Sequence, residues 1–205
     1  TAFAISFSVT ILCGYALFLI PSRITRVRIK EGLMIVSLSW LAVSVFGCLP
    51  LAISGSTETV IDAFFESVSG FTTTGATIFN QVENLPKGIL LWRSFSHWIG
   101  GMGILVFTLA VLPELGVGSF QVFKAESPGP VADRIVPKLR NTAKILYFLY
   151  IGFTVVGIIL LAAGGMPLFD SIIHTFGTVG TGGFSSKNAS ISTYGSSYIH
   201  IVIST

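Results

Sequence analysis

Charged residues are scarce in this sequence. Its 205 residues include 12 basic and 9 acidic side chains, 10% of the total, whereas a soluble domain carries about 25%. The shortage excludes an ordinary water-soluble domain and a basic nucleic-acid-binding face. Apolar residues make up 52% and form charge-free runs at residues 2–20, 33–53 and 145–163. Since a membrane-spanning helix needs about 20 such residues, the sequence predicts an integral membrane protein.

Cysteine is scarce too. Cys13 and Cys48 are the only two, both lie inside apolar runs, and neither has the spacing of a metal ligand. A disulfide framework and a cysteine-based metal site are therefore excluded. No glycine-rich phosphate loop opens a predicted helix, so we expect neither a nucleotide nor any other cofactor on this chain.

The few charges are unevenly distributed along the chain. Basic residues are concentrated at 21–32 and 113–144, whereas residues 56–93 are mainly acidic. Basic loops of membrane proteins stay in the cytoplasm, so the acidic stretch is expected outside. We expect a partial spanning helix at residues 1–20, a first repeat at 33–112, a cytoplasmic linker at 113–144 and a second repeat at 145–205. Because Thr1 and Thr205 fall in apolar runs, we also expect a piece of a longer chain.

An internal repeat is the strongest signal. The stretches DAFFESVSGFTTTGATIFN (residues 62–80) and DSIIHTFGTVGTGGFSSKN (residues 170–188) align without a gap at a spacing of 108 residues. Identical residues occupy the pairs Asp62/Asp170, Thr73/Thr181, Gly75/Gly183 and Asn80/Asn188. Each copy is an apolar stretch too short to span, which suits a re-entrant helix. We predict these helices at residues 59–71 and 168–177, the first capped by Ser56 or Thr57.

Each predicted short helix leads into a stretch rich in threonine and glycine. We name residues 71–77 the first Thr/Gly segment and residues 178–185 the second. Non-helical backbone at membrane depth survives only inside protein or beside water, where its carbonyl oxygens can replace the hydration shell of a monovalent cation. Gly75 and Gly183 are expected to take the left-handed angles that turn neighbouring carbonyls toward one axis. A ring of about four such segments is needed, completed by further repeats or by a second copy.

Several polar residues lie close to these segments in the sequence. Glu66 and His174 occupy matched positions on the two short helices, and we expect hydrogen bonds from them to fix each helix. Arg93 is expected to snorkel or to pair with Glu66 or Asp62, because charge in the membrane is costly. A group at the start of the next apolar run is predicted to anchor it at the outer interface, and small residues after it form a packing face. The anchors are Trp92, Arg93, His97 and Trp98, and the small residues are Gly100, Gly101 and Gly103.

Two other functions were weighed against an ion pathway. An intramembrane metal-dependent hydrolase would use Glu66, His97 and His174, but their spacing does not match a metal site. A sodium-coupled or less selective cation carrier on the same scaffold is the other alternative. The hydrolase does not explain a gapless repeat that ends in threonine and glycine, so the sequence favours transport without catalytic residues.

The motifs resemble one known superfamily. SGFTTTGAT at residues 69–77, WIGGMGI at 98–104 and GTGGFS at 180–185 are similar to the Trk/Ktr/HKT superfamily of potassium transporters, as are VLPELGVG at 111–118 and KAESPGPV at 124–131. The resemblance covers nearly the whole chain. It implies an all-α polytopic membrane protein built from repeats of spanning helix, re-entrant pore helix with filter loop, and spanning helix. Four such repeats would surround one potassium-channel-like pore with pseudo-fourfold symmetry, and this chain would hold about two of them.

The resemblance also implies a function and a set of site residues. It implies potassium uptake across the bacterial inner membrane, driven by the membrane potential, by a homodimer regulated by a cytoplasmic nucleotide-binding subunit of the TrkA type. Potassium would be the transported ion, with no other metal bound. Carried over by position, the ion-binding filter residues are Thr73, Thr74, Gly75, Ala76, Thr181, Gly182, Gly183 and Phe184.

Overall fold

The computed structural model describes residues 1–20, 29–115 and 132–204. In these ranges the chain is helical, without a strand. The eight α-helices are α1 (Ala2–Phe18), α2 (Ile29–Gly47), α3 (Leu49–Ile53), α4 (Val60–Phe71), α5 (Lys87–Leu115), α6 (Ala132–Ala163), α7 (Leu168–Val179) and α8 (Ser197–Ser204). A 3-10 helix at Ser190–Tyr194 precedes α8. Residues 21–28 and 116–131, which hold much of the predicted basic linkers, lie outside the described residues.

Two helical stretches among the described residues are long and apolar enough to cross a membrane. They are Met34–Ile53, which comprises most of α2 and all of α3, and Lys144–Ala163 in α6. Large apolar side chains on the outside of these and the neighbouring helices are exposed, for example Phe18 at 84% and Phe148 at 76%. Surfaces of this kind suit contact with lipid, because apolar side chains are more stable in hydrocarbon than in water.

Several predicted boundaries differ from the observed ones. The spanning segment predicted from residue 33 to about 54 is two helices, since the helix is interrupted at Cys48, two residues before Pro50. Helices α5 and α6 both extend into the predicted linker. The two short helices are correct within two residues, but α4 is capped by Thr59 and not by Ser56 or Thr57.

Helix α5 lies between the two short helices. It packs against α4 of its own repeat on one side and against α7 of the second repeat on the other, while α2 and α6 support α4 and α7 from behind. A small apolar cluster joins the two repeats, formed by Val82, Leu90 and Ile173. Trp92 Nε1 donates to the Gly47 carbonyl oxygen at 2.9 Å and ties α5 to α2. The two short helices that lead into the Thr/Gly segments are thus held by one shared helix.

Candidate functional site

The two Thr/Gly segments leave their helices in the same way. In the first repeat the N–H groups of Thr72, Thr73 and Thr74 donate to the carbonyls of Val68, Gly70 and Ser69, at 2.9, 3.1 and 3.0 Å. In the second, the N–H groups of Gly180, Thr181 and Gly182 donate to the matched carbonyls of Phe176, Thr178 and Gly177, at 3.0, 2.9 and 2.9 Å. The sequence repeat is therefore also a repeat of backbone geometry.

Left-handed residues alternate along both segments. Thr73 and Gly75 have φ of 56° and 75°, and the matched Thr181 and Gly183 have φ of 59° and 83°. Glycine adopts these angles readily, whereas a left-handed threonine is strained by about 1–3 kcal/mol. Successive residues of an ordinary strand point their carbonyls in opposite directions, and left-handed residues at every second position remove that alternation. The glycine angles confirm the prediction for Gly75 and Gly183, while the strained threonines were not foreseen.

The two segments contact each other at Gly75. A methyl group built there would overlap the carbonyl oxygen of Gly182. The two backbones are therefore so close that only a glycine, which has no side chain, fits at this position. Gly183 differs, because a methyl group built on it would meet nothing within 4 Å. The first and second segments are therefore neighbours, with Gly75 at their contact and Gly183 facing open space.

Hydroxyl groups form hydrogen bonds within the first segment and between it and α4. Ser69 Oγ donates to the Ala76 carbonyl at 2.6 Å, so one of the two acceptor positions of this oxygen is bound to α4. Thr72 Oγ1 donates to the Val68 carbonyl at 2.7 Å and is 2.8 Å from Thr74 Oγ1. Since a hydroxyl has a single proton, Thr74 is the donor in that second bond. Ser69 was not singled out from the sequence, although its position inside SGFTTTGAT marks it.

The residues behind the second segment are aromatic and charged. Phe184 is 4% exposed, its ring stacks on His97 at 4.0 Å between centroids, and the Arg93 guanidinium carbon lies 4.2 Å from the ring centroid. His97 Nδ1 donates to the Gly70 carbonyl at 2.7 Å, and the ring lies so close to Gly182 that a methyl group there would overlap it. Only the backbone of Phe184 can therefore face an ion.

Two of the predicted interface anchors are wrong. Arg93 and His97 are 3% and 0% exposed, and both lie behind the Thr/Gly segments and not at a membrane surface. Their polar partners are on α4, 27 residues earlier in the chain, and of the two contacts only that of Arg93 with Glu66 was expected from the sequence. Trp98 Nε1 instead donates to Thr154 Oγ1 at 2.9 Å, which fastens α5 to α6.

The predicted pairing of Arg93 with Glu66 is confirmed. Arg93 Nε donates to Glu66 Oε1 at 2.6 Å, and the same carboxylate accepts hydrogen bonds from Thr77 Oγ1 at 2.9 Å and from the Ile78 N–H at 3.1 Å. Asp62, the other predicted partner, is in a capping box with Thr59. Glu66 therefore binds the chain directly after the first segment.

The second short helix holds its loop with different side chains. His174 Nε2 is 3.4 Å from Ser185 Oγ, and Ser186 Oγ donates to Asp170 Oδ1 at 2.6 Å. The Tyr194 ring packs edge-on to His174 at 5.5 Å. Burial, with Asp170 nearby, raises the pKa of Tyr194 to about 12, so this phenol is neutral at physiological pH. The expected hydrogen bonds of Glu66 and His174 are thus present, and each is made to the loop after its own segment.

The predicted packing role is confirmed for Gly100 and Gly101. Side chains at Gly100 and Gly101 would overlap the Phe71 carbonyl oxygen and the backbone of Gly180, respectively. Both glycines therefore let α5 approach the ends of the two short helices. Among the described residues, no group of three or more His, Cys, Asp or Glu lies close enough together to hold a metal ion.

Comparison with known families accounts for this arrangement. The sequence profile of TrkH, described as a cation transport protein, matches residues 1–205.

The chain belongs to the TrkH family.

Relatives with assigned names agree. The Trk system potassium uptake protein TrkH of Halomonas elongata is 41% identical over 99% of this chain and 43% of its own length. The protein of the same name from Escherichia coli K12 is 43% identical over 98% of this chain and 42% of its own length. The crystal structure of the potassium transporter TrkH from Vibrio parahaemolyticus matches with a TM-score of 0.83 and 35% identity, over 98% of this chain and 40% of that one.

The TrkH assignment decides between the classes of function weighed from the sequence. The family consists of cation transport proteins of the membrane and not of enzymes, so the metal-dependent hydrolase hypothesis is wrong. All three of its residues also have structural partners, since Glu66 pairs with Arg93, His97 stacks on Phe184 and His174 contacts Ser185. This TrkH-family chain spans about 43% of the length of the relatives it matches.

Proposed function

We propose that this chain forms part of a potassium uptake pathway, in which backbone oxygens of the two Thr/Gly segments replace the water around the ion. The ion-binding residues are those of the predicted filter: Thr73, Thr74, Gly75, Ala76, Thr181, Gly182, Gly183 and Phe184. Phe184 contributes only its backbone, since its ring lies behind the segment. Neutral carbonyl oxygens bind a monovalent cation without trapping it, as conduction requires.

One observation carries this proposal. Each segment has two left-handed residues separated by one residue, Thr73 and Gly75 in the first and Thr181 and Gly183 in the second. A threonine takes the left-handed position that ends each short helix, where glycine is usual, and strain of this kind persists only where the surroundings enforce it. The contact between Gly75 and Gly182 supports a shared axis for the two segments.

The remaining parts of the pathway come from outside this chain. Two segments supply about half of the ring of four that a dehydrated cation needs, and the relatives are more than twice as long as this chain. Four repeats complete a pseudo-fourfold pore in a bacterial inner-membrane protein that works as a homodimer. A cytoplasmic nucleotide-binding subunit of the TrkA type regulates it. Uptake is driven by the membrane potential, worth about 2.3 kcal/mol per charge per 100 mV.

A substitution at Gly183 tests the filter assignment. The transporter that contains this chain is reconstituted in liposomes, and rubidium and sodium influx are measured. We expect Gly183→Ser to lower the rubidium-to-sodium ratio roughly tenfold, a change of about 1.4 kcal/mol in relative barrier, because a residue with a Cβ strains the left-handed backbone that aims the carbonyls. Gly165→Ser is the matched control, since Gly165 has φ of 87° and open space around it but lies at the end of α6.

The outcomes separate the competing functions. An unchanged ratio in Gly183→Ser, with normal protein folding, contradicts the filter assignment. An equal loss of selectivity in Gly165→Ser attributes the effect to general backbone strain. If rubidium influx into the unmutated protein requires external sodium, the protein is a sodium-coupled carrier on the same scaffold.

A further inference from the structure

The Glu66–Arg93 ion pair has no role yet in the proposed pathway. Its two side chains are 0% and 2% exposed and lie at the level of the Thr/Gly segments. Removing two charges from water is costly, and a buried ion pair is often no more stable than apolar residues of the same volume. Ionisable residues inside a membrane protein therefore call for a functional reason.

The pair holds the first segment at its outgoing end. Thr77 Oγ1 donates to Glu66 Oε1 at 2.9 Å and accepts from an Arg93 terminal nitrogen at 2.9 Å and from the Phe79 N–H at 3.2 Å. Glu66 Oε2 accepts from the Ile78 N–H at 3.1 Å. Thr77 follows Ala76 directly, so every hydrogen bond that the hydroxyl can make fixes the end of the first segment.

The same arginine contacts the second segment. Its guanidinium carbon lies 4.2 Å from the Phe184 ring centroid and 5.2 Å from that of Phe79. Phe184 follows Gly183 directly. Because the fork of an arginine is planar and rigid, one side chain sets the distance between Thr77 of the first segment and Phe184 of the second.

Comparison of the two repeats shows what the charges are for. The residue matching Glu66 is His174, and the residue matching Thr77 is Ser185, which it contacts at 3.4 Å. The second repeat, residues 145–205, contains no arginine. Carboxylate and guanidinium are thus absent together, and an imidazole reaches the matched hydroxyl. A buried carboxylate needs a counterion, whereas a neutral histidine does not.

We propose that Glu66 and Arg93 act as a positioning pair that sets the geometry of the first Thr/Gly segment and its distance from the second, and that the pair is exchangeable, as a unit, for a histidine like His174 with an apolar residue at position 93. This inference rests on the proposed function, because it concerns the selectivity of that site. The pair acts through Thr77, Ile78 and Phe184 and does not touch the ion.

Single and paired substitutions test the proposal in the same liposome flux measurement. We expect Glu66→Gln and Arg93→Met each to lower the rubidium-to-sodium ratio about tenfold, because each leaves one buried charge without its partner. The double variant Glu66→His, Arg93→Ile should recover most of the ratio. Arg93→Lys should be intermediate, since an ammonium keeps the charge but cannot form the same fork of bonds.

A cation elsewhere on the same helix gives the matched control. Lys87 stands over the Phe169 ring at 5.7 Å, on an exposed part of α5 away from both segments. Lys87→Met removes a cation–π contact and a positive charge from α5 without touching the pair, and we expect an unchanged ratio. The apparent rubidium affinity, measured separately from the maximal rate, distinguishes altered ion binding from a smaller amount of folded protein.

The outcomes keep this proposal distinct from the filter assignment. If the single variants lose only folded protein while the remaining transporters keep the unmutated ratio, the positioning role is overturned. A folded double variant with low selectivity, or a double variant that does not fold, overturns the exchangeability. In either case Gly183→Ser still reports on the filter itself, whose failure would appear there and not in the pair.

Discussion

At the scale of single residues, matched positions of the two repeats do not carry equal constraints. Gly75 and Gly183 are identical in sequence and both left-handed, but only Gly75 touches the neighbouring segment, at the Gly182 carbonyl oxygen. A substitution at Gly183 therefore strains one residue, whereas a substitution at Gly75 must also displace a backbone. The alignment makes the two glycines equivalent, and only the contact between segments distinguishes them.

This asymmetry predicts different stabilities for the two alanine variants. Gly183→Ala should cost about 1–2 kcal/mol, the penalty of a left-handed residue with a Cβ. Gly75→Ala should cost about 1–3 kcal/mol more, because the added methyl group overpacks a contact between backbones. Thermal unfolding of the detergent-solubilised transporter measures the difference, and Gly183→Ala is the control. Equal melting temperatures would contradict the contact between Gly75 and Gly182.

At the scale of helices, the two short helices are alike in length but begin differently. Helix α4 begins with a capping box, in which Thr59 Oγ1 accepts from the Asp62 N–H and Asp62 Oδ2 accepts from the Thr59 N–H, both at 3.1 Å. Helix α7 begins at Pro167, and the matched Asp170 binds Ser186 instead. An aspartate shared by both repeats therefore stabilises a helix start in one and a loop in the other.

The cap of α4 predicts a measurable loss on substitution. Thr59→Ala should destabilise the protein by about 1 kcal/mol, the usual cost of removing a threonine N-cap. The matched control is Thr57→Ala, since Thr57 Oγ1 has no hydrogen-bond partner within the described part of the chain. Thermal unfolding and hydrogen exchange at the Asp62 amide measure the effect. A larger loss in the Thr57 variant would show that the helix starts earlier.

The helices and the contacts between them were predictable from sequence to different degrees. Charge-free runs and the repeat predict the spanning and short helices closely. The length of an apolar run, which membrane thickness sets, can be determined from consecutive residues alone. The cap was missed because the hydroxyl residues at 56, 57 and 59 are all suitable N-caps by residue type. Only the position of the first helical residue distinguishes them. His97 was predicted at an interface because its partner Gly70 lies on another helix, whereas the pairing of Arg93 with Glu66 was expected from the cost of charge in a membrane.

At the scale of the whole molecule, the loops that follow the two Thr/Gly segments join the two repeats. Asn188 Oδ1 accepts a hydrogen bond from the Val82 N–H at 2.8 Å, and the Asn188 N–H donates to Glu83 at 3.4 Å. Val82 belongs to the apolar cluster with Leu90 and Ile173. Asn188 is one of the four identities of the repeat, but the sequence assigned it no role, because a contact across 106 residues is not visible in a local pattern.

Removing this bond should loosen one repeat from the other. Asn188→Ala leaves the buried Val82 N–H without a partner, which costs about 1–3 kcal/mol. Asn84→Ala is the control, since Asn84 is exposed and bonds only to Gln81 of its own loop, and surface changes of this kind stay within about 0.5 kcal/mol. Thermal unfolding gives the stability, and faster hydrogen exchange at Val82 locates the loss. Equal effects in the two variants would contradict the proposed link between repeats.

Helix α5 meets both short helices through His97, Gly100 and Gly101. A tilt of α5 would therefore displace the backbones of both Thr/Gly segments together. The duplicated halves of the chain are for this reason not independent modules, and the energetic effects of changes in the two segments do not simply add. We expect a substitution that shifts one half to need a compensating change in the other, because residues in contact are energetically coupled.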